Sequence, residues 1–497
     1  MPVSATQANV PRCHIPWQQM VVDSTGAAAP CCYWGAYDNI NPPVGNVKEQ
    51  SIEEIWNGEP YQKLRAAMAR GDLEAAGCKN CYALKQNLDL AFEYDPESNN
   101  ETETPYAQNI RTLKAEIASG ATVLKAKPTI VSYIPSHRCN IRCTHCYQEG
   151  TRDAEINRAD AAEEIERLAP YLVRLVAGGG EPFLLPIWRR FLASFDLGVN
   201  PYLDFSTSTN ATIISNSVMA GLSRFKRLTI NISLDGTGEV YERVRQGANF
   251  EQVATNIRRL REVVQSTRSP GSYMGVSMCV MKSNIKGLAD FVRFCTEEQL
   301  AFGMSPVVTM PPDESLRCFN DPAAEMDGWS QAIDDGLAAQ EDYFPVWDKF
   351  QEGAEELREI RRSHFQMIRD MIPFHLVEVP HRRITFGIPK ELLREASAAH
   401  KGSPLVAYIY HVGAAEGATY WGPIVDGECK VSLPDGDFAL NVSTKWVLPG
   451  YRDDFKFTVS ARSSQVSVSR ETNRYTPRRI AMGVFRRTKR MVGSLVG

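Results

Sequence analysis

Cys139, Cys143 and Cys146 lie in one short run, Ser136-His137-Arg138-Cys139-Asn140-Ile141-Arg142-Cys143-Thr144-His145-Cys146-Tyr147. Their spacing is C-x3-C-x2-C. Thiolates are the preferred ligands of iron–sulfur clusters, and three so spaced in one loop can wrap one face of a cubane. The loop holds no fourth cysteine, so one iron is left open for another ligand. An open iron suits catalysis, whereas a fully ligated cluster passes electrons. A zinc site is the other reading, with His145 or His137 as the fourth ligand.

A second group precedes the first: Cys13, the Cys31-Cys32 doublet, Cys78 and Cys81. Cys78-x2-Cys81 is a standard metal pair, and Cys13 with one cysteine of the doublet completes a closed four-thiolate site. The expected ligands are Cys13, Cys31, Cys78 and Cys81, with Cys32 as the alternate to Cys31; a zinc ribbon is the competing reading. The remaining cysteines, Cys279, Cys295, Cys318 and Cys429, are scattered and read as small buried hydrophobes without a role.

The elements that position these groups follow from patterning. Short β-branched runs at Thr129–Ile134, Leu172–Ala177, Tyr202–Thr207, Leu228–Leu234, Tyr273–Met281 and Phe302–Val308 alternate with helical stretches such as Ile187–Phe195, Phe250–Val264 and Ile285–Leu300. Six β-then-α units imply an α/β fold with a parallel sheet, because parallel strands need crossover helices. Periodicity does not choose between a partial barrel and a doubly wound sheet. Ser51 and Glu54 form a capping-box pattern ahead of a helix through Trp56. Residues 341–376 have helical spacing, and residues 382–470 read as a small antiparallel β-sandwich.

The chain has 497 residues, 43% hydrophobic and 23% charged, which implies a soluble globular protein of two or three domains. Its net charge of −4 gives no overall attraction to nucleic acid. The N-terminus has no apolar signal-peptide core and no segment is long and apolar enough to span a bilayer, so the expected location is cytoplasmic. Thiols stay reduced there, which again favours metal over disulfides. Only residues 478–497, basic and amphipathic, offer weak contact with a membrane surface.

Further motifs sit at the ends of the strand candidates. Gly179-Gly180-Glu181-Pro182 follows the second, Ser208-Thr209-Asn210 the third and Ser233-Leu234-Asp235-Gly236 the fourth; Tyr241–Gly247 comes next. In this order, and with the cysteine triad, residues 126–310 resemble the radical S-adenosylmethionine (SAM) superfamily. Ala211 stands where the family usually has glycine. The resemblance implies a (β/α)6 partial TIM barrel and a [4Fe–4S] cluster on Cys139, Cys143 and Cys146. It also implies SAM contacts from Gly179, Gly180, Glu181, Pro182, Ser208, Asn210, Ser233 and Asp235, with Arg245 at the SAM carboxylate or ribose. The N-terminal cysteines, with Cys13–Trp17, Pro30–Tyr33, Gly45–Val47 and Ile52–Gly58, resemble the SPASM or twitch auxiliary iron–sulfur domain. Five cysteines, fewer than a full SPASM domain carries, imply one auxiliary [4Fe–4S] cluster.

The implied layout is an auxiliary domain over 1–95, a linker over 96–125, the radical SAM core over 126–340, a helical connector over 341–380, the sandwich over 381–472 and a basic tail over 473–497. The implied activity is reductive cleavage of SAM to a 5′-deoxyadenosyl radical that abstracts hydrogen from a substrate carbon. An electron donor such as flavodoxin or ferredoxin is required. The substrate is carbohydrate-linked, a small molecule or a peptide, and its oxidation is the expected outcome. Peptide maturation by thioether formation or epimerisation is an alternative, as is a non-catalytic iron–sulfur scaffold.

Overall fold

A computed structural model describes residues 13–35, 41–85, 104–156, 158, 160–267, 272–308, 311–347, 354–399, 404–411, 419–444, 455–459 and 468–470. The chain forms two compact units. The first comprises Met1–Arg142, Thr151–Ser233 and Gly247–Val276; the second comprises Cys143–Gly150, Leu234–Gln246 and Ser277–Gly497. The basic segment 478–497 lies outside the described residues.

The first unit is built on a mixed sheet. Its strands are β1 (Gln19–Val22), β2 (Ala27–Ala29), β3 (Gly45–Asn46), β4 (Ile130–Tyr133), β5 (Arg174–Ala177), β6 (Asp204–Thr209) and β7 (Arg227–Ser233), in the order β3-β2-β1-β4-β5-β6-β7. From β4 to β7 each strand pairs in parallel with the next. This is the α/β arrangement expected from crossover helices. In β7, Leu228, Ile230 and Ile232 are buried while Thr229, Asn231 and Ser233 on the other face are half-buried. That alternation seats one face in the core and leaves a polar face for a ligand.

The N-terminal cysteine-rich segment is part of this sheet. Its strand β1 runs parallel to β4, with Gln19 opposite Ile130 and Val22 opposite Tyr133. Helix α1 (Ile52–Trp56) carries the expected capping box at Ser51 and Glu54. It is followed by α2 (Glu59–Ala69). The Trp56 indole donates to Ala126 O at 2.9 Å, and Asn57 Nδ2 donates to Leu124 O at 2.8 Å. Arg65 is fully buried: it donates to Pro16 O and Thr122 O and stacks over Trp56 and Tyr61.

Where the sequence reading has a linker, residues Pro105–Ser119 form a helix, α3, capped by Thr104 and ended by Gly120 at φ +64°. Tyr106, Ile110, Leu113 and Ile117 recur at helical spacing and are buried. Their signal was masked by the adjoining polar run.

The second unit holds the end of β8 (Tyr273–Val280), β9 (Ala301–Pro306) beside it, and the helices Leu288–Glu297, Trp329–Trp347 and Ala354–Met371. Its C-terminal part is antiparallel, as expected, but differs from a two-sheet sandwich. Among the described residues, seven strands form one hydrogen-bonded path from Arg382–Gly387 to Ser469–Arg470, and Cys318–Phe319 joins it in parallel at Thr419–Val425. The second layer on one face is the helix Lys390–Ala399: Leu392 and Ala396 pack with Ala407, Ile409, Phe438, Leu440 and Val442. No described helix is long and apolar enough to cross a membrane.

Candidate functional site

In the first unit the loop after β4 is laced to the segment after β5. Gly180 N donates to Ser136 O and Glu181 N to Arg138 O, both at 3.0 Å. A Cβ on Gly180 would lie 2.3 Å from His137 O and 2.5 Å from Arg138 O, so only glycine allows this approach. Cys139 is carried by this braced backbone.

Glu181 is fully buried. Its Oε1 accepts from Thr209 Oγ1 at 2.8 Å and Phe183 N at 3.1 Å, and its Oε2 from Asn210 N at 2.8 Å. The carboxylate therefore ties the end of β5 to the end of β6. Asn210, also buried, directs Nδ2 to Cys139 Sγ at 3.7 Å and to Asn140 Oδ1 at 3.1 Å. Ala211 adopts φ +56°, the left-handed conformation for which glycine is the usual residue. Ser208 is exposed on β6 and Ser233 is half-buried at the end of β7; neither joins the Glu181–Asn210 network. Thr209, quoted within its motif but given no role by the sequence reading, is the residue of β6 that joins Glu181. The alternation of β6 decides which of the two faces inward, and the register needed to read it comes only from the fold.

His137, one of the two histidines offered as a fourth zinc ligand, has both ring nitrogens engaged. His137 Nε2 meets Ser24 Oγ at 3.0 Å and Nδ1 meets Thr151 Oγ1 at 2.9 Å. Ser24 lies two residues after the end of β1, so the cysteine-rich segment is joined to the cluster loop two residues before Cys139.

In the second unit, Thr144 N donates to Val244 O at 2.9 Å, which seats the loop carrying Cys143 and Cys146 against the residue before Arg245. Asp235 is fully buried and organises the surroundings. Its Oδ1 accepts from Cys279 N at 2.8 Å, and its Oδ2 lies 2.8 Å from Arg245 Nη2 and 3.3 Å from His145 Nε2. Arg245 Nη1 sits 3.7 Å from Cys143 Sγ. Burial opposes the guanidinium charge, but Asp235 and Cys143 more than offset it. Burial also holds His145 below its usual pKa, partly countered by Asp235. Burial pushes the Cys279 thiol up to about 12, so it is a neutral neighbour. The potential ligand atoms of His145, Asp235 and Cys279 lie within 4.8 Å of one another. Arg245 already supplies the positive charge at Asp235, so the group is a poor place for a further cation. Gly236, at φ +137°, makes the turn after Asp235.

A separate set of thiols converges in the first unit. Cys13, Cys31, Cys78 and Cys81 line one pocket with Ile15, Pro16 and other apolar residues. Cys32 is exposed and does not line it. Asn41 donates to Trp34 O and Gly77 O, tying the turn after Cys31 to the one before Cys78. Burial, and then the nearby thiols, push Cys13 and Cys78 up to about 12 and raise Cys31 as well. Four thiols crowded in an apolar pocket fit a cluster that replaces their protons. The triad loop fits one too, since N–H donors face two of its sulfurs.

Residues 133–291 match the radical SAM superfamily and residues 13–82 match the SPASM iron–sulfur cluster-binding domain. The chain carries a radical SAM domain and a SPASM domain. Its radical SAM domain implies a [4Fe–4S] cluster and SAM, and its SPASM domain implies auxiliary iron–sulfur clusters. It is similar to the pre-heme d1 synthase of Dinoroseobacter shibae, 25% identical over 35% of this chain and 41% of the relative. The Fe-coproporphyrin III synthase of Methanosarcina barkeri is 24% identical over 35% of this chain and 43% of the relative. The antilisterial bacteriocin subtilosin biosynthesis protein AlbA of Bacillus subtilis is 25% identical over 33% of this chain and 36% of the relative. The chain thus spans about two fifths of the curated relatives it matches. The crystal structure of Streptococcus suis SuiB bound to precursor peptide SuiA aligns at 18% identity and TM-score 0.34 over 56% of this chain and 59% of that one, a likeness that decides nothing further.

Proposed function

We propose that this radical SAM chain is an enzyme that oxidises a substrate carbon, with Cys139, Cys143 and Cys146 holding the SAM-cleaving cluster. Cys13, Cys31, Cys78 and Cys81 hold one auxiliary cluster. The observation that carries the reading is the existence of two separate thiolate sets, one of three and one of four. When bound, the three-thiolate cluster and SAM supply a 5′-deoxyadenosyl radical that removes hydrogen from an unactivated C–H bond. A cluster with four protein thiolates has no open iron for SAM, and what it offers is a one-electron sink. Net oxidation needs such a sink, because the substrate radical must lose one electron and one proton to become a closed-shell product.

The protein's own groups support this chemistry by rigidity. Gly180 lets the backbone of the cysteine loop pack against the strand end, Glu181 locks two strand ends together, and Asp235 fixes Arg245. The fold that fits best is a six-unit (β/α)6 partial barrel, whose strand ends are the usual place for a ligand. The substrate class is a carbohydrate-linked compound, another small molecule or a peptide. The likeness to AlbA supports a second reading, peptide maturation.

Anaerobically reconstituted protein, incubated with SAM and dithionite, is expected to form 5′-deoxyadenosine. Replacement of Cys139, Cys143 and Cys146 by alanine is expected to abolish it. No 5′-deoxyadenosine from the fully loaded wild type would instead mark a binding or scaffold protein.

A further inference from the structure

Asn210 and Arg245 belong to different motifs, yet each directs a side-chain N–H at a cysteine of the triad loop. Asn210 Nδ2 lies 3.7 Å from Cys139 Sγ, and Arg245 Nη1 lies 3.7 Å from Cys143 Sγ. Both side chains are about nineteen-twentieths buried, at 5% exposure each.

Neither donor is free to turn away. Asn210 Oδ1 accepts from Thr212 N at 2.9 Å and Thr212 Oγ1 at 2.6 Å. Asn140 closes the ring, donating Nδ2 to Thr212 Oγ1 and accepting from Asn210 Nδ2. Flipping the Asn210 amide would set its NH2 against the Thr212 N–H and its oxygen against Asn140 Oδ1, so the ring fixes NH2 toward the sulfur. Arg245 is held by Asp235 at Nη2, and Asp235 is held in turn by Cys279 N. Its Nε is buried without a partner.

We propose that Asn210 and Arg245 are positioning residues for the cluster, donating to the thiolates of Cys139 and Cys143 and so raising its reduction potential. This rests on the reading of Cys139, Cys143 and Cys146 as the SAM-cleaving site. N–H donors withdraw negative charge from sulfur, and that favours the reduced state, which carries one more electron. Low exposure strengthens the effect, since water does not screen it. The cluster accepts its electron from a low-potential one-electron donor, and the two side chains ease that uptake. The family resemblance implies SAM contacts for both residues; in addition their donors face the cysteines.

The test is a redox titration of reconstituted full-length protein followed by electron paramagnetic resonance, with the SAM-responsive signal identifying this cluster. In Asn210→Ala and in Arg245→Gln its midpoint is expected to move to lower potential, and further in the double variant. Iron content is expected to stay near wild type. Unchanged midpoints in both variants, whatever the SAM affinity, would overturn the proposal and leave Asn210 and Arg245 with SAM contacts alone. If either variant loads less iron, Arg245→Lys and Thr212→Val are titrated in its place. They retain a charge or the amide but disturb its aim, and an unchanged midpoint in both counts against the proposal. A wild type with no SAM-responsive cluster would instead defeat the functional reading itself.

Discussion

At Gly180 the absence of a side chain is a steric necessity. A methyl would meet two backbone carbonyls at 2.3 and 2.5 Å, and backbone cannot rotate aside as a side chain can. Gly180→Ala is expected to cost roughly 1–3 kcal/mol, the usual range for overpacking, read as a lower denaturation midpoint. Ala211 is the converse case. Its left-handed backbone costs an L-residue about 1–2 kcal/mol, while glycine there loses roughly 0.4–1 kcal/mol through the unfolded chain. Ala211→Gly is therefore expected to be neutral or to stabilise by up to about 1.6 kcal/mol, and Ala211→Val to destabilise; thermal unfolding of both variants checks the sign. The residues of this site were largely legible because motif order survives in sequence. What they touch was not. Glu181, Asn210, Asp235 and Arg245 could be named from sequence, but the ring through Thr212 and Asn140, the partner Thr209 and the use of both His137 nitrogens depend on strand register and on contacts far apart in the chain.

Among the elements, the parallel pairing of β1 with β4 decides how the cysteine-rich segment is carried. Strand and helix positions of the core followed from periodicity, to within a few residues at their ends. The β1–β4 pairing was invisible because it joins residues more than a hundred positions apart, and period alone says nothing about partners. The helix Lys390–Ala399 was missed for another reason: it is short and lies among strands, so the sandwich reading absorbed it. Arg65 is the test at this scale. It satisfies Pro16 O and Thr122 O and fills the space between Trp56 and Tyr61. Arg65→Ala removes buried partners and volume together and is expected to cost about 3 kcal/mol or more. Pro16 is three residues from Cys13, so urea unfolding and iron retention are expected to fall together, and retention of full iron at lowered stability would separate the helix from the cysteine pocket.

For the molecule as a whole, the account requires two independent iron–sulfur sites in one chain. The apolar pocket around Cys13, Cys31, Cys78 and Cys81 belongs to one compact unit and needs nothing from Cys143 or Cys146. Removing one set should then leave the other loaded. The most direct measurement is iron and sulfide content, with electron paramagnetic resonance, of anaerobically reconstituted wild type and of the Cys139→Ala, Cys143→Ala, Cys146→Ala triple variant. The account predicts about eight irons per chain in wild type and about four in the variant, given four irons per cubane, with the SAM-responsive signal lost. A wild type holding about four irons, or a variant whose signal still responds to SAM, would contradict it.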